Sequence, residues 1–201
     1  LNGTISFIKE IGVRMVNDTF LLLGDQLFDP KILKHKGCKR VFMAEDYGLC
    51  TYEKHHKLKI YLYLCAMREY KEELERNGIQ VDYFSLEARS DDKTYIEFLV
   101  EFLHEKKIDR VDIFEIENKS FEKNILAALE KAEIKYELFE TPMFLFSRKE
   151  FCSLYGKNKS FRLGNFYKVG RKKFNILVDG EGNPIGDRWS FDEENRKKIP
   201  A

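Results

Sequence analysis

Along the first 140 residues, short apolar runs alternate with stretches in which apolar positions recur at helical spacing. Thr19 to Leu23 (TFLLL), closed by Gly24, and Arg40 to Ala44 (RVFMA), closed by Glu45 and Asp46, read as buried strands. Between them, Asp29 before Pro30 is a helix cap with proline at the first helical position, which predicts a short helix or turn over Pro30 to Lys36. From His55, the residues Leu58, Tyr61, Leu62, Cys65, Ala66, Tyr70 and Leu74 keep helical spacing until Asn77-Gly78 supplies a left-handed end. Strands are then predicted at Val81 to Ser85, Arg110 to Glu115 and Lys135 to Glu140, with helices at Tyr95 to Lys106 and Ser120 to Ala132. Such alternation predicts an α/β fold on a five-stranded parallel sheet flanked by helices, with strands one and two adjacent.

The pattern changes after Thr141-Pro142. Ser147 and Glu150 are spaced as a capping box, and a helical stretch interrupted by Gly156, Gly164 and Gly170 is expected to wrap the sheet rather than extend it. From Asp179 the chain is rich in Gly, Pro and charge around Trp189 and Phe191, as in an ordered linker held by two aromatic anchors. At the other end, Ile5, Ile8, Ile11 and Met15 have the spacing of a short surface helix. The predicted organisation is an N-terminal extension over 1–16, an α/β domain over 17–178 and a linker over 179–201.

Composition narrows the classes. Thirty-five basic and 34 acidic residues give a net charge of +1, so no bulk field attracts a polyanion. Cys38, Cys50, Cys65 and Cys152 form no C-x-x-C pair, which argues against a zinc knuckle or a secreted disulfide framework and predicts reduced, partly buried thiols. No apolar run reaches the length of a membrane span and no signal-peptide pattern is present, which leads to the expectation of a cytoplasmic protein with no membrane partner.

Candidate chemistry gathers at strand ends, because ligands of open parallel sheets bind beyond the carboxyl ends of the strands. Gly24, Asp25 and Gln26 follow the first strand, and Glu45 and Asp46 follow the second. Gly24 lets a ligand approach the backbone, and Asp25 and Gln26 offer groups for a heterocycle edge or sugar hydroxyls; equally, the pair satisfies a strand-to-loop turn. Neither G-x-G-x-x-G nor a P-loop follows strand one, so the ligand need not carry phosphate. His55-His56 opens the long helix, but adjacent histidines diverge by about 100° and make no metal pair. Glu115, Glu117, Asn118 and Lys119 read mainly as a cap for the helix near Ser120. Arg162, Lys168, Arg171, Lys172 and Lys173 interleave with Phe161, Phe166, Tyr167 and Phe174, a pattern in which aromatics pack inward and cations stay solvated. No catalytic triad or carboxylate pair can be assembled.

Five segments, LLLGDQLFDP, VFMAEDYGLCTYEKHHKLKIYLYLCAMREY, FEIENKSFE, TPMFLFSRKEF and FYKVGRKKFNILVDGEGNPIGDRWSFDEENRKKIP, together resemble the N-terminal half of the deoxyribodipyrimidine photolyase-related family, the iron-sulfur bacterial cryptochromes and photolyases. The resemblance runs in order from about Asn17 to Pro200. It implies a Rossmann-like antenna domain that binds a light-harvesting pigment such as 6,7-dimethyl-8-ribityllumazine at the strand ends. A helical domain outside this chain would hold FAD and a 4Fe-4S cluster, and the complete protein would repair (6-4) photoproducts in DNA or sense blue light. DNA would then be met only through the complete protein, with the helical FAD-binding domain as the partner. On this resemblance the pigment site comprises Gly24, Asp25, Gln26, Glu45, Asp46, Tyr52 and His55. Three departures stand out: Leu49 where lumazine-binding members carry a second glutamate, Gly164-Asn165 for Met-Glu, and Gly186-Asp187-Arg188 before Trp189 in place of Gly-Gly.

The expected function is therefore a chromophore-binding antenna domain with no catalysis of its own. A stand-alone nucleotide- or flavin-binding module, or an interaction domain without pigment, is the alternative. Glu45 is expected at a loop entrance, where replacement by Gln would weaken ligand binding and leave the fold intact.

Overall fold

A computed structural model describes residues 18–89, 92–156 and 161–190. The expected N-terminal helix and Phe191 lie outside the described residues. The chain divides into two compact units parted between Met143 and Phe144.

The first unit is a five-stranded, all-parallel sheet in the order β3-β2-β1-β4-β5. Its strands are β1 (Asp18–Leu21), β2 (Arg40–Ala44), β3 (Gln80–Phe84), β4 (Arg110–Phe114) and β5 (Lys135–Phe139). Helices α1 (Pro30–His35), α2 (Tyr47–Thr51), α3 (Lys57–Arg76), α4 (Tyr95–Glu105) and α5 (Lys119–Lys131) connect them. Strand side chains alternate between two cores. Leu21, Leu23, Phe42, Val111 and Ile113 pack with Leu99 and Leu103 of α4 and Ile125 and Leu129 of α5. Phe20, Leu22, Val41, Met43 and Phe114 pack with Leu33 of α1 and Met67, Tyr70 and Leu74 of α3. Because helices cover both faces, β1 and β2 are buried from their second residue onward, while the edge strands β3 and β5 are only partly buried.

Four crossover helices end in one way. After α1, α3, α4 and α5 the chain passes through a left-handed residue, Gly37, Gly78, Lys107 or Glu133. The next residue, Cys38, Ile79, Ile108 or Ile134, donates its N–H to the carbonyl of Leu33, Leu74, Leu103 or Leu129, five residues back. This Schellman closure uses orphan carbonyls and sets an apolar pair at each helix end, which delivers the chain into the next strand. Arg40 pairs with Asp82 at 2.5 Å across β2 and β3, and Arg110 pairs with Asp112 on its own strand and with Glu137 across to β5.

Two expectations are corrected in α3. The helix begins at Lys57, with His56 as its cap through a hydrogen bond from the Leu58 N–H to Nδ1. The predicted apolar face points outward over its first half: Leu58, Tyr61 and Leu62 are 63%, 68% and 65% exposed, and Cys65 is exposed too. Of the opposite stripe, Leu64 and Met67 pack into the core, and Ile60 and Tyr63 line a cavity with them, Tyr63 remaining partly exposed. Both faces of this amphiphile are apolar, so spacing alone selects neither. Cys152 is likewise exposed, leaving Cys38 and Cys50 as the partly buried thiols.

The second unit contains α6 (Arg148–Tyr155), opened by the Ser147/Glu150 capping box, and α7 (Leu163–Lys173). Phe146, Phe151, Phe161 and Phe166 form a ring cluster with Tyr155, with centroids 4.6–5.9 Å apart. Arg171 departs from the expected solvated cations because it is buried. It donates Nε to the Ile176 carbonyl at 3.1 Å, Nη1 to the Trp189 carbonyl at 2.9 Å and Nη2 to the Leu177 carbonyl, and it sits 5.2 Å from the Trp189 ring centroid. One guanidinium thereby folds residues 176–189 onto α7. Among the described residues no helix is long and apolar enough to cross a membrane.

Leu74→Ala is expected to cost about 2–5 kcal/mol and Leu62→Ala less than about 0.5 kcal/mol, measured by urea unfolding, because only Leu74 leaves a cavity. Arg171→Ala is expected to lose about 2 kcal/mol of local stability. Thermolysin would then cut ahead of Ile176 or Leu177 faster than in the unaltered chain, with the first unit's melting unchanged.

Candidate functional site

The sheet order reverses between β1 and β4, so the connections leaving their carboxyl ends diverge to opposite sides and open a crevice. A cavity of about 510 Å³ occupies this end of the sheet, within the range of small-molecule sites. Leu23, Gly24 and Asp25 line it just beyond β1, Ala44, Glu45 and Asp46 at the end of β2, and Ile116 and Asn118 just beyond β4. Helix α3 contributes Lys59, Ile60, Tyr63, Leu64 and Met67; α4 contributes Tyr95; α5 contributes Ser120, Phe121 and Asn124. Tyr52 and His55, whose rings meet edge to face at 5.2 Å, complete the wall together with Leu49 and Cys50.

Six of the seven sequence-predicted residues therefore share one cavity. Gln26 does not line it: the side chain is fully buried, accepting from the Leu23 N–H at 3.4 Å and donating to the Glu115 carbonyl at 3.2 Å. It ties the end of β1 to the end of β4. Gly24 matters sterically, since a Cβ there would come within 2.7 Å of Met67 Sδ and push that side chain from its place on the wall. Asp25 is exposed at the cavity and makes no hydrogen bond among the described residues. The two histidines separate as their divergence requires, His55 toward the cavity and His56 onto the helix end.

Glu45 and Asp46 are held by separate arginines. Glu45 is only 1% exposed, which overturns its placement at an open loop entrance. Its Oε1 accepts from Arg68 Nε at 2.6 Å and the Tyr83 hydroxyl at 2.5 Å, while Oε2 accepts from Arg68 Nη2 and the Leu86 N–H, both at 2.9 Å. Burial alone would raise its pKa, but the bonds from Arg68, Tyr83 and Leu86 together hold the carboxyl below its ordinary 4.5. With four acceptor positions used, Glu45 shapes the wall chiefly by fixing Arg68 and Tyr83. Asp46 caps α2 by accepting from the Leu49 N–H at 2.7 Å and pairs with Arg89. Arg89 also donates to the Glu45 carbonyl at 2.7 Å and lies 4.7 Å from the Phe98 ring centroid.

Burial, Asp46 and Glu45 push the Cys50 thiol up, which keeps it protonated and a poor nucleophile. Lys59 is the one lysine or arginine among the described lining residues, so no cationic cradle for phosphate is present there. Among the described residues no group of three or more His, Cys, Asp or Glu is placed to hold a metal. Sequence reading missed Tyr95, Asn124 and the inner stripe of α3; Asn118 was anticipated as the α5 cap, which it is, accepting from the Ser120 and Phe121 N–H groups.

The chain is thus a doubly wound α/β protein with a largely apolar cavity at the switch point of its sheet. The family model described as deoxyribodipyrimidine photo-lyase-related protein matches residues 20–201, and the chain belongs to that family. It is 28% identical over 181 residues to a (6-4) photolyase of Agrobacterium fabrum, covering 88% of this chain and 35% of that protein. Over 66 residues it is 42% identical to an uncharacterized protein of Acanthamoeba polyphaga mimivirus, covering 31% of this chain and 33% of the viral one. The chain spans about a third of the length of these curated relatives.

Glu45→Gln is expected to lower stability by about 1–3 kcal/mol at pH 7, because it unpairs Arg68 and leaves a donor facing donors. The ionised carboxylate contributes above its unfolded pKa, and that contribution is lost as pH falls through the depressed native value. Urea unfolding should therefore show the gap between variant and parent narrowing on acidification below pH 4.5.

Proposed function

We propose that this chain is the light-harvesting, chromophore-binding domain of a photolyase-related protein, and that the cavity at the sheet's switch point holds 6,7-dimethyl-8-ribityllumazine or a related flat pigment. The observation that carries this reading is the cavity itself: apolar side chains on facing walls, uncommitted polar groups at its edge and no phosphate cradle. Ile60, Leu64 and Met67 from one side and Ile116 and Phe121 from the other supply apolar surface for a ring. Asp25 and Asn124 supply polar groups for ring nitrogens or ribityl hydroxyls, while the Asn118 oxygen is spent on the α5 cap.

Such a site breaks no bond. When bound, the pigment supplies absorption of blue light, and the chain's residues keep it dry and fixed in orientation. The arginine pairs at Glu45 and Asp46 serve that rigidity, since they lock the loops that follow β2. The excitation would pass to FAD in a helical domain that also carries a 4Fe-4S cluster, and DNA photorepair or blue-light sensing would belong to the complete cytoplasmic protein. The (6-4) photolyase relative and the chain's coverage of 35% of its length support this division of labour.

Titration of 6,7-dimethyl-8-ribityllumazine, riboflavin and a reduced folate into the chain tests the reading. Saturable one-to-one binding of the lumazine, with a shifted absorption band, is expected. Absence of binding by all three would defeat it and leave an interaction module without pigment.

A further inference from the structure

The net charge of +1 over the whole chain conceals a division between its two units. Residues 1–143 carry twenty-two Lys and Arg against twenty-seven Asp and Glu, whereas residues 144–201 carry thirteen against seven. Five more acids than bases in the first unit are thus offset by six more bases than acids in the second. The excess is concentrated further: residues 148–173, which hold α6 and α7, contain nine Lys and Arg and a single acid, Glu150. That carboxylate is already engaged, accepting from the Ser147 N–H in the capping box and pairing with Lys173. Lys149, Arg162, Lys168 and Lys172 are exposed and make no ion pair among the described residues. Like charges at this density repel one another and destabilise the unit unless an anion lies against them.

Asn165, Lys168 and Lys172, spaced three and four residues apart, share one side of α7, and all three are exposed. Beside them the Tyr167 ring is 49% exposed, held in place by the buried Arg171 guanidinium 5.7 Å from its centroid. The apolar side of the helix is occupied, with Phe166 in the ring cluster and Gly170 against Phe146. The basic side therefore lacks the free apolar stripe by which a helix lies in a lipid surface. Cations next to an open aromatic ring suit a nucleic-acid strand, whose phosphates meet the cations and whose bases stack on the ring. We propose that the exposed side of α7, with Lys168, Lys172 and Tyr167 at its centre, is a contact surface for a nucleic-acid strand, bound without regard to sequence. The acidic excess of the first unit confines the attraction to the second. The inference is independent of the cavity and of what it holds. It gives the chain a nucleic-acid contact of its own, where the resemblance implied contact only through the complete protein.

The test is fluorescence anisotropy of a labelled, mixed-sequence DNA single strand of about 20 nucleotides, titrated with the full chain over a series of salt concentrations. Co-sedimentation with vesicles of phosphatidylserine and phosphatidylcholine is run beside it. Phosphates neutralised by the four unpaired cations give a slope of log affinity on log salt of about −2.8, or about 50-fold weaker binding between roughly 50 and 200 mM salt. Lys168→Gln combined with Lys172→Gln should bring the slope to about −1.4. Tyr167→Leu should weaken binding on the order of tenfold and leave the slope alone. Lys31→Gln combined with Lys34→Gln, on α1, should change neither. The lysines replaced are exposed, so each variant should melt as the parent does. The inference is overturned if the parent does not bind the strand, if it binds the vesicles and not the strand, if the slope survives the paired substitution on α7, or if Tyr167→Leu changes nothing. A failure of pigment binding leaves the result untouched, because the strand assay contains no pigment.

Discussion

Everything at the functional end of this molecule follows from the confinement of β1. The strand has a neighbour on each edge and helices over both faces, so the chain emerging after Leu23 must turn at once. Beyond it, the connection from β2 leads through α2 to α3 on one face, and that from β4 leads to α5 on the other. The divergence leaves a crevice that the strands cannot fill, and its walls are the first turns of helices whose positions the two cores dictate. Gln26 closes the seam by bridging Leu23 and Glu115, so the cavity rests on a hydrogen-bonded base.

Two consecutive acids after β2 show how rigidity is built around that crevice. Side chains alternate, so Glu45 and Asp46 point to different partners and each recruits its own arginine. Glu45 gathers Arg68 of α3, Tyr83 of β3 and the Leu86 amide, tying a helix, an edge strand and a turn to one buried carboxylate. Asp46 caps α2 while Arg89 reaches from the segment before α4 to meet it. A buried carboxylate with every acceptor used costs much when unpaired and little when satisfied, which makes both residues positioning elements. Asp25 and Asn124, by contrast, line the cavity and make no side-chain hydrogen bond among the described residues.

Such an arrangement makes the cavity walls rigid, because the ion pairs that hold the segment after β2 also fix Arg68 and Arg89. The chain belongs to the deoxyribodipyrimidine photolyase-related family and matches about a third of a (6-4) photolyase.

The strand runs, the Asp29-Pro30 start, the Ser147/Glu150 box and the Asn77-Gly78 stop were legible in the sequence because each is a local signal with a local cause. So was the clustering of Gly24, Asp25, Glu45, Asp46, Tyr52 and His55, since a parallel sheet brings successive strand ends together whatever its details. A further local signal was present and unread: leucine followed five residues on by isoleucine or cysteine, repeated at four helix ends. The inward face of α3 was not legible, because both stripes of that helix are apolar and only packing against Phe20, Val41 and Met43 chooses between them. Nor was the fate of Glu45, Gln26 or Arg171, whose partners lie far off in the chain or across a loop closure. Sequence determined which residues meet at the end of the sheet; the tertiary structure decided which of them are spent on one another and which remain free for a ligand, because hydrogen-bond capacity is finite and is allotted only when distant segments come into contact.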